Sequence, residues 1–276
     1  MKPFVYILTE GVLDIVVLTS VLTRSFEFAL LKQKSTLPEC FAGWLDAFKW
    51  PTGDDITRRA VPAPVFLESD RLLVGIRSAQ GIDNMSRTLS IDREVFSRRE
   101  RQQPVVIGIV LDADDEEPQK RLKKFAELVV SAGFPQPLSL DQVIDGGGKR
   151  SGIFAFPGGG LSGTIEDSLL PLAQRRFPQL HQFVSPYVAE WCQTTLANES
   201  KDYAELRKPS GPLKATLSSM VAFLKPAKPL NASIEDHNWL PLNPRTCTEL
   251  QPLVQFLENL LAPVPVVESQ KGSMPI

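Results

Sequence analysis

The chain has 276 residues, 43% of them hydrophobic, and a formal charge of −2. That is enough apolar material for a core in one large domain or two small ones. The near-neutral balance excludes a chain that holds nucleic acid by an overall basic surplus, so any polyanion site has to be a local patch. Cys40, Cys192 and Cys247 are odd in number and far apart, which excludes a disulfide framework or a zinc motif and fits a reducing, cytoplasmic setting.

In chain order, Phe4 to Thr9 is a strand-length apolar run that stops at Glu10-Gly11. Residues 12 to about 31 read as a largely buried helix. Its apolar part, Val12 to Leu22, is interrupted by Asp14 and followed by Arg24 and Glu27, and it is shorter than the roughly 20 residues that a bilayer requires. No membrane association is expected. Residues 35–79, with Trp44, Trp50, Pro51, Pro62 and Pro64, read as an irregular insertion holding one or two short strands. Residues 81 to about 101 read as a helix whose last turn, Arg98-Arg99-Glu100-Arg101, suits the negative end of the helix dipole.

Val105 to Leu111 is a continuous β-branched run, the pattern of a strand buried on both faces. It too ends in carboxylates, Asp112-Ala113-Asp114-Asp115. Residues 117–132 form an amphipathic helix pattern with Leu122, Phe125, Ala126 and Val129 on one face and Gly133 as its stop. Gly152 to Phe156 reads as a third buried strand. Residues 168–207, 213–224 and 246–262 read as helical, and the tail from Pro263 as disordered. Strands alternating with helices predict an α/β fold with a mostly parallel sheet. The expected division is a core over 1–170, a helical region over 171–262 packed on it, and a tail over 263–276.

The acidic strand ends carry the chemistry. Carboxyl ends of parallel strands are where open α/β sheets place ligands, and three or four carboxylates together suit a hard cation such as Mg²⁺. Asp112 and Asp114, two apart on an extended segment, would face the same side. Glu10 would join them if the two strands are neighbours. The competing reading is capping: Asp114 and Asp115 at the start of the helix near Glu116, and Glu10 or Asp14 at the start of the first helix. Glu166 and Asp167 allow the same two readings, as further ligands or as the first turn of a helix capped by Thr164.

Gly146-Gly147-Gly148-Lys149-Arg150-Ser151 is not a P-loop, because Val143 and Arg150 occupy two of the positions that motif requires. It reads as a flexible loop whose Lys149 and Arg150 can still touch a phosphate. Lys214 opens a helix and reads as an exposed lysine. His181 and His237 are too few for a histidine-rich metal site and read as structural or exposed. A phosphoacceptor receiver domain would place its acidic strand ends much closer in sequence.

Glu10-Gly11-x-x-Asp14 after a buried strand, followed by a buried strand ending Asp112-x-Asp114, resembles the Toprim domain of topoisomerases, bacterial primases and OLD-type nucleases. Gly81-Ile-Asp-Asn84, Phe156-Pro-Gly-Gly, Gly163-x-x-Glu166-Asp167 and the helix with Lys214-Ala215 extend the resemblance to small stand-alone Toprim-like proteins, over about residues 4 to 235. The resemblance implies a Toprim-like sheet and a nuclease activity dependent on Mg²⁺ or Mn²⁺. Glu10 resembles the general acid/base or metal ligand, and Asp112 and Asp114 the metal-binding pair. Asp14, Glu166 and Asp167 would add ligands, and Lys214 would face the phosphate. Related nucleases act in phage defence beside an ABC-type ATPase, as in OLD-like and PARIS systems. The chain lacks the topoisomerase tyrosine module, the primase zinc module and an ATPase P-loop, and Val12-Leu13 stands where a more polar pair is frequent.

Three functions follow as expectations. The first is a Mg²⁺-dependent hydrolase of DNA or RNA acting in antiviral defence. The second is a subunit held by an ABC-type ATPase with little activity alone. The third is an interaction module without catalysis. A homo-oligomer is compatible with each.

Overall fold

A computed structural model describes residues 2–50, 52–57, 63–98, 103–195 and 200–263. Among the described residues seven strands form one sheet in the order β2-β3-β4-β1-β5-β7-β6. The strands are β1 (Phe4–Thr9), β2 (Ala29–Leu30), β3 (Val65–Glu68), β4 (Leu73–Ser78), β5 (Val106–Asp112), β6 (Val143–Gly146) and β7 (Lys149–Phe156). β4, β1, β5 and β7 run parallel, and the edge strands join antiparallel. The expected α/β, mostly parallel architecture is therefore present.

Alternation along the strands builds two cores. Val5 and Ile7 of β1, Val74 and Ile76 of β4, and Phe154 and Phe156 of β7 face one side. There they meet α1 (Val12–Ser25), α5 (Ile165–Arg176), α6 (Pro178–Thr195), α7 (Gly211–Leu224), α8 (Leu230–Asp236) and α9 (Gln251–Leu260). Phe4, Tyr6, Leu8, Ile107, Ile109 and Ile153 face the other side, against α2 (Ala42–Ala47), α3 (Met85–Ser97) and α4 (Pro118–Ser131). A sheet covered on both faces has apolar strands throughout, which is why β1 and β5 read as unbroken apolar runs.

Several expectations need correction. The first helix ends at Ser25, and Ala29–Leu30 then pairs with β3. The short strands expected within 35–79 are β3 and β4, and they belong to the main sheet, with β4 directly beside β1. Gly75 of β4 admits the Trp44 ring of α2 onto the sheet, because a Cβ there would stand 2.5 Å from that ring. The Gly147-Gly148 segment is the turn of the β6–β7 hairpin, with both glycines at positive φ. Lys149 and Arg150 begin β7 at the amino edge of the sheet, opposite the acidic strand ends. Arg150 is buried and binds Asp145 and the carbonyls of Ala262 and Pro263, so it has no part in a phosphate site there. Pro51, Pro62, Arg99 to Arg101 and the tail beyond Pro263 lie outside the described residues.

One buried carboxylate ties α2 and α3 to the sheet. Asp92 of α3 accepts from Tyr6 Oη at 2.7 Å and Trp44 Nε1 at 2.9 Å, and it pairs with Arg77 of β4. Burial raises its pKa, against the pull of Arg77 and the three donors. Breaking a buried, hydrogen-bonded pair by removing one partner leaves the other groups unpaired. Asp92→Ala is therefore expected to cost about 3–5 kcal/mol in urea unfolding, and Asp92→Asn less.

Candidate active site at the carboxyl edge of the sheet

β1 has β4 on one side and β5 on the other. The crossovers from β1 therefore diverge, and the crevice at the carboxyl ends of β1 and β5 is a topological switch point, the usual ligand position of open α/β sheets. Glu10 follows β1 and Asp112 ends β5. The Glu10 amide donates to the Val110 carbonyl at 3.0 Å, and the Asp112 amide donates to Glu10 Oε2 at 3.3 Å. The loop after β4 holds the Glu10 backbone through the Gly81 amide at 2.9 Å.

Two helix starts close the crevice. At α1, Asp14 is buried and accepts from the Gly11 amide at 2.6 Å. At α5, the Ile165 amide donates to Asp112 Oδ1 at 2.7 Å, so the positive end of α5 supports that carboxylate. Glu166 is the next residue. It is buried, its Oε2 has no hydrogen-bond partner, and its Oε1 lies 4.0 Å from Lys214 Nζ of α7.

The electrostatics identify which acids belong together. Burial, then the charges of Asp14, Glu10 and Glu166, pushes the Asp112 carboxyl up to about 9. Burial, then Glu10 and Glu166 working against the Gly11 hydrogen bond, pushes Asp14 up to about 8. Glu10 is raised mainly by burial, with Asp114 adding to the rise while the Asp112 amide, Arg121 and Lys214 oppose it. The acids acting on one another are thus Glu10, Asp14, Asp112 and Glu166, with Asp114 acting on Glu10 alone.

Asp114 and Asp167 have other partners. The strand ends at Asp112, and Asp114 takes a left-handed φ of 48°, so the expected same-side pair does not form. Asp114 instead pairs with the buried Arg121 of α4 at 2.7 Å, and its backbone bridges to Gly163. Nor do Asp114 and Asp115 cap α4, whose N-cap is Glu117. Asp167 accepts from the Thr164 amide at 2.7 Å, which is the capping role. Gly163 is required there, since at φ 136° a Cβ would sit 2.7 Å from Asp167 Oδ2. Asp14 caps α1 and also belongs to the acidic set. His237 contacts Ser233 and Phe177, away from the acids.

Arg121 was not legible in the sequence. It lies in Lys120-Arg121-Leu122-Lys123-Lys124 among solvent-facing cations, and nothing in the local pattern sets it apart from them. A cavity of about 420 Å³ opens beside the acids, lined by Asp114, Ser162, Thr164, Asp167, Ser210 and Pro212 among others. A larger one, about 640 Å³, lies between α5 and the Asn238–Glu249 segment and touches none of the sequence-predicted residues, so size does not locate the site.

The donor set fits a hard cation. It is all carboxylate oxygen, one buried oxygen has no partner, and burial together with neighbouring like charges raises the carboxyls of Asp14 and Asp112. Among the described residues no three His, Cys, Asp or Glu side chains already converge closely enough to hold a metal ion.

The fold and site together define an α/β protein with a buried acidic cluster at the switch point of its sheet. The chain belongs to the family described as protein of unknown function (DUF3226), whose profile matches residues 6–262. Among solved structures it is similar to a hypothetical protein of Pyrococcus horikoshii OT3, with 17% identity, 94% of this chain and 95% of that one covered, and a TM-score of 0.47. No curated protein matches the chain.

The raised carboxyls make stability depend on pH with a defined sign. An unfolded aspartate titrates near 4, so between about pH 4 and pH 9 the folded state keeps protons that the unfolded state releases. This stabilisation is complete below about pH 4 and is lost as pH rises through the folded values near 8 and 9. In chelator, the protein is expected to weaken steadily as pH rises over that range. Asp112→Asn keeps the acceptor for Ile165 and removes one charge, so it should flatten the profile and stabilise the protein by about 1–3 kcal/mol at alkaline pH. Urea unfolding across pH checks both.

Proposed function

We propose that the protein is a Mg²⁺-dependent phosphodiester hydrolase of nucleic acid, Toprim-like in its site and acting as an effector in antiviral defence within the cytoplasm. The observation that carries this reading is the set of Glu10, Asp14, Asp112 and Glu166, buried or half-buried at one sheet edge, with Glu166 Oε2 unpartnered and Lys214 Nζ 4.0 Å from Glu166 Oε1. The family match leaves the activity open, and the resemblance in the acidic motifs supplies the reaction class.

Glu10, Asp112 and Glu166, with Asp14 behind them, would hold Mg²⁺ or Mn²⁺. When bound, such a cation supplies charge stabilisation to a phosphoryl oxygen and a more acidic water. Glu10 is partly buried and burial raises its pKa above the usual carboxylate range, the direction that suits a general acid or base. Lys214 Nζ, close to Glu166 and about half exposed, would offset phosphate charge. Arg121 acts as a positioning residue that fixes the loop after β5 through Asp114 and the Ala113 carbonyl. The Ile165 amide and the α5 dipole keep Asp112 oriented toward the other acids.

A second reading is favoured by charge. Arg77, Arg121 and Arg150 are committed to internal partners, and the whole chain is slightly acidic, whereas affinity for nucleic acid comes mostly from cations on phosphates. A subunit that gains its substrate surface from an ABC-type ATPase would need no such surplus.

Cleavage of plasmid DNA and of RNA should require Mg²⁺ or Mn²⁺. Asp112→Asn and Glu166→Gln are expected to lower the rate by about 100-fold or more, while Arg150→Lys and Asp167→Asn leave the metal requirement unchanged. Undiminished cleavage by a Glu10→Ala, Asp112→Ala double variant would overturn the assignment. Activity that appears only with a copurifying ATPase would select the second reading.

A further inference from the structure

Among the described residues, a strongly apolar exposed surface outside the site lies on α6 and α7. Phe183, Tyr187 and Trp191 of α6 are 67%, 65% and 47% exposed, and Phe223 of α7 is 62% exposed. The three α6 residues are four apart, so they form one stripe on the helix face, about 12 Å long. Phe223 meets Phe183 edge-on with ring centroids 5.9 Å apart, and Tyr203 meets Trp191 at 6.3 Å at the other end. The opposite face of α6 is satisfied by Val184, Val188 and Cys192, buried against the core. The stripe is therefore surplus to what holds α6 in place.

Its composition argues for a protein partner. α6 carries a single formally charged residue, Glu190, in 18, and α7 a single one, Lys214, in 14, placed at the end away from Phe223. The rest of the exposed α7 face near Phe223 is Ser218, Ser219 and Ala222. Aromatic enrichment with charge depletion is the signature of an interface centre. Nucleic acid would call for cations among the rings. A membrane-surface helix would call for Lys and Arg along its polar face. Neither is present in α6.

Area and charge together select a second copy of this chain. Four aromatic side chains of roughly 150–250 Å² each, half to two thirds open, present on the order of 400–500 Å². That matches the largest apolar patch of an ordinary monomer, which is commonly functional. Two such faces, with the Ser and Ala between them, bury about 1,000 Å², the lower bound for a specific interface. With Glu190 and Lys214 the only formal charges on the two helices, the face offers little charge for a differently charged partner to match, and meeting its own copy brings Glu190 alone near a like charge. We propose that the protein forms a two-fold dimer through Phe183, Tyr187 and Trp191 of α6 and Phe223 of α7. The interface is isologous, so each stripe packs on its symmetry mate.

The area predicts a moderate affinity, with a Kd on the order of micromolar. Sedimentation equilibrium of the full chain up to about 100 μM should show reversible dimers. Phe183→Asp, Tyr187→Asp together, and Phe223→Glu separately on the other helix, should each weaken association by tenfold or more with far-UV circular dichroism and melting temperature unchanged. A wild-type monomer at the highest concentration would overturn the proposal, as would a dimer undiminished by both surface variants. Nuclease activity does not enter the readout, so this result and that of the cleavage experiment are independent.

Discussion

The carboxyl edge of the sheet depends on how two buried carboxylates, Asp14 and Glu166, and two half-buried ones, Glu10 and Asp112, are held beside few positive charges. A buried carboxylate is tolerated when hydrogen bonds or cations replace the water it has lost. Here the replacements are mostly backbone amides: Gly11 for Asp14, Ile165 for Asp112, and Asp112 itself for Glu10. Amides orient a carboxylate without neutralising it, and the helix starts that offer them are fixed by the sheet. The order β4-β1-β5-β7 therefore matters beyond packing, because it brings the starts of α1 and α5 to the same crevice.

The sheet edge also explains the division of labour among cations. Arg77 and Arg150 serve the interior, one at Asp92 beneath α3 and the other at Asp145 and the chain's last described carbonyls. Each stands where a carboxylate would otherwise be buried alone or a hairpin would be loosely held. Neither faces the acidic crevice, where Lys214 at 4.0 Å is the approach recorded. The structure thus spends its buried guanidinium groups on rigidity and leaves the crevice anionic.

Much of this was legible in the residues, and the reasons for the failures are physical. β1 and β5 could be read because strands covered on both faces are continuously apolar. β4 was legible as a short strand but not as a neighbour of β1, since Gly75 and Arg77 break its apolar pattern for three-dimensional reasons, one for the Trp44 ring and the other for Asp92. Arg150 was misplaced because β7 begins three residues earlier than its apolar run. In a parallel strand the first residues stand at the edge opposite the last, so a basic residue there cannot reach acids at the carboxyl edge. The Asp112-x-Asp114 reading assumed an extended chain through Asp114, and the left-handed turn at that residue removes the premise. Glu166 and Lys214 were named from motif order. Their approach across α5 and α7 depends on helix packing, which local pattern does not encode.

The different fates of Asp112 and Asp114 sharpen the chemical argument. Arg121 is buried deeply enough that pairing is obligatory, and it takes Asp114 and Glu116 as partners, with one terminal nitrogen still unpartnered. Had its guanidinium pointed at Asp112, the acidic set would be neutralised internally and Asp112 would not titrate so high. The geometry instead separates the two charges: the aspartate at the end of the strand stays with the other acids, while the one beyond the turn restrains the loop. A fold that needed those acids only as helix caps would gain from neutralising them, since Asp14 and Asp167 show that capping is achieved by a single amide contact. Asp112 and Glu166 exceed that need, and Glu166 Oε2 has no partner at all. Positive charge from outside the chain would compensate that arrangement, which is the physical ground of the proposed cation at this edge.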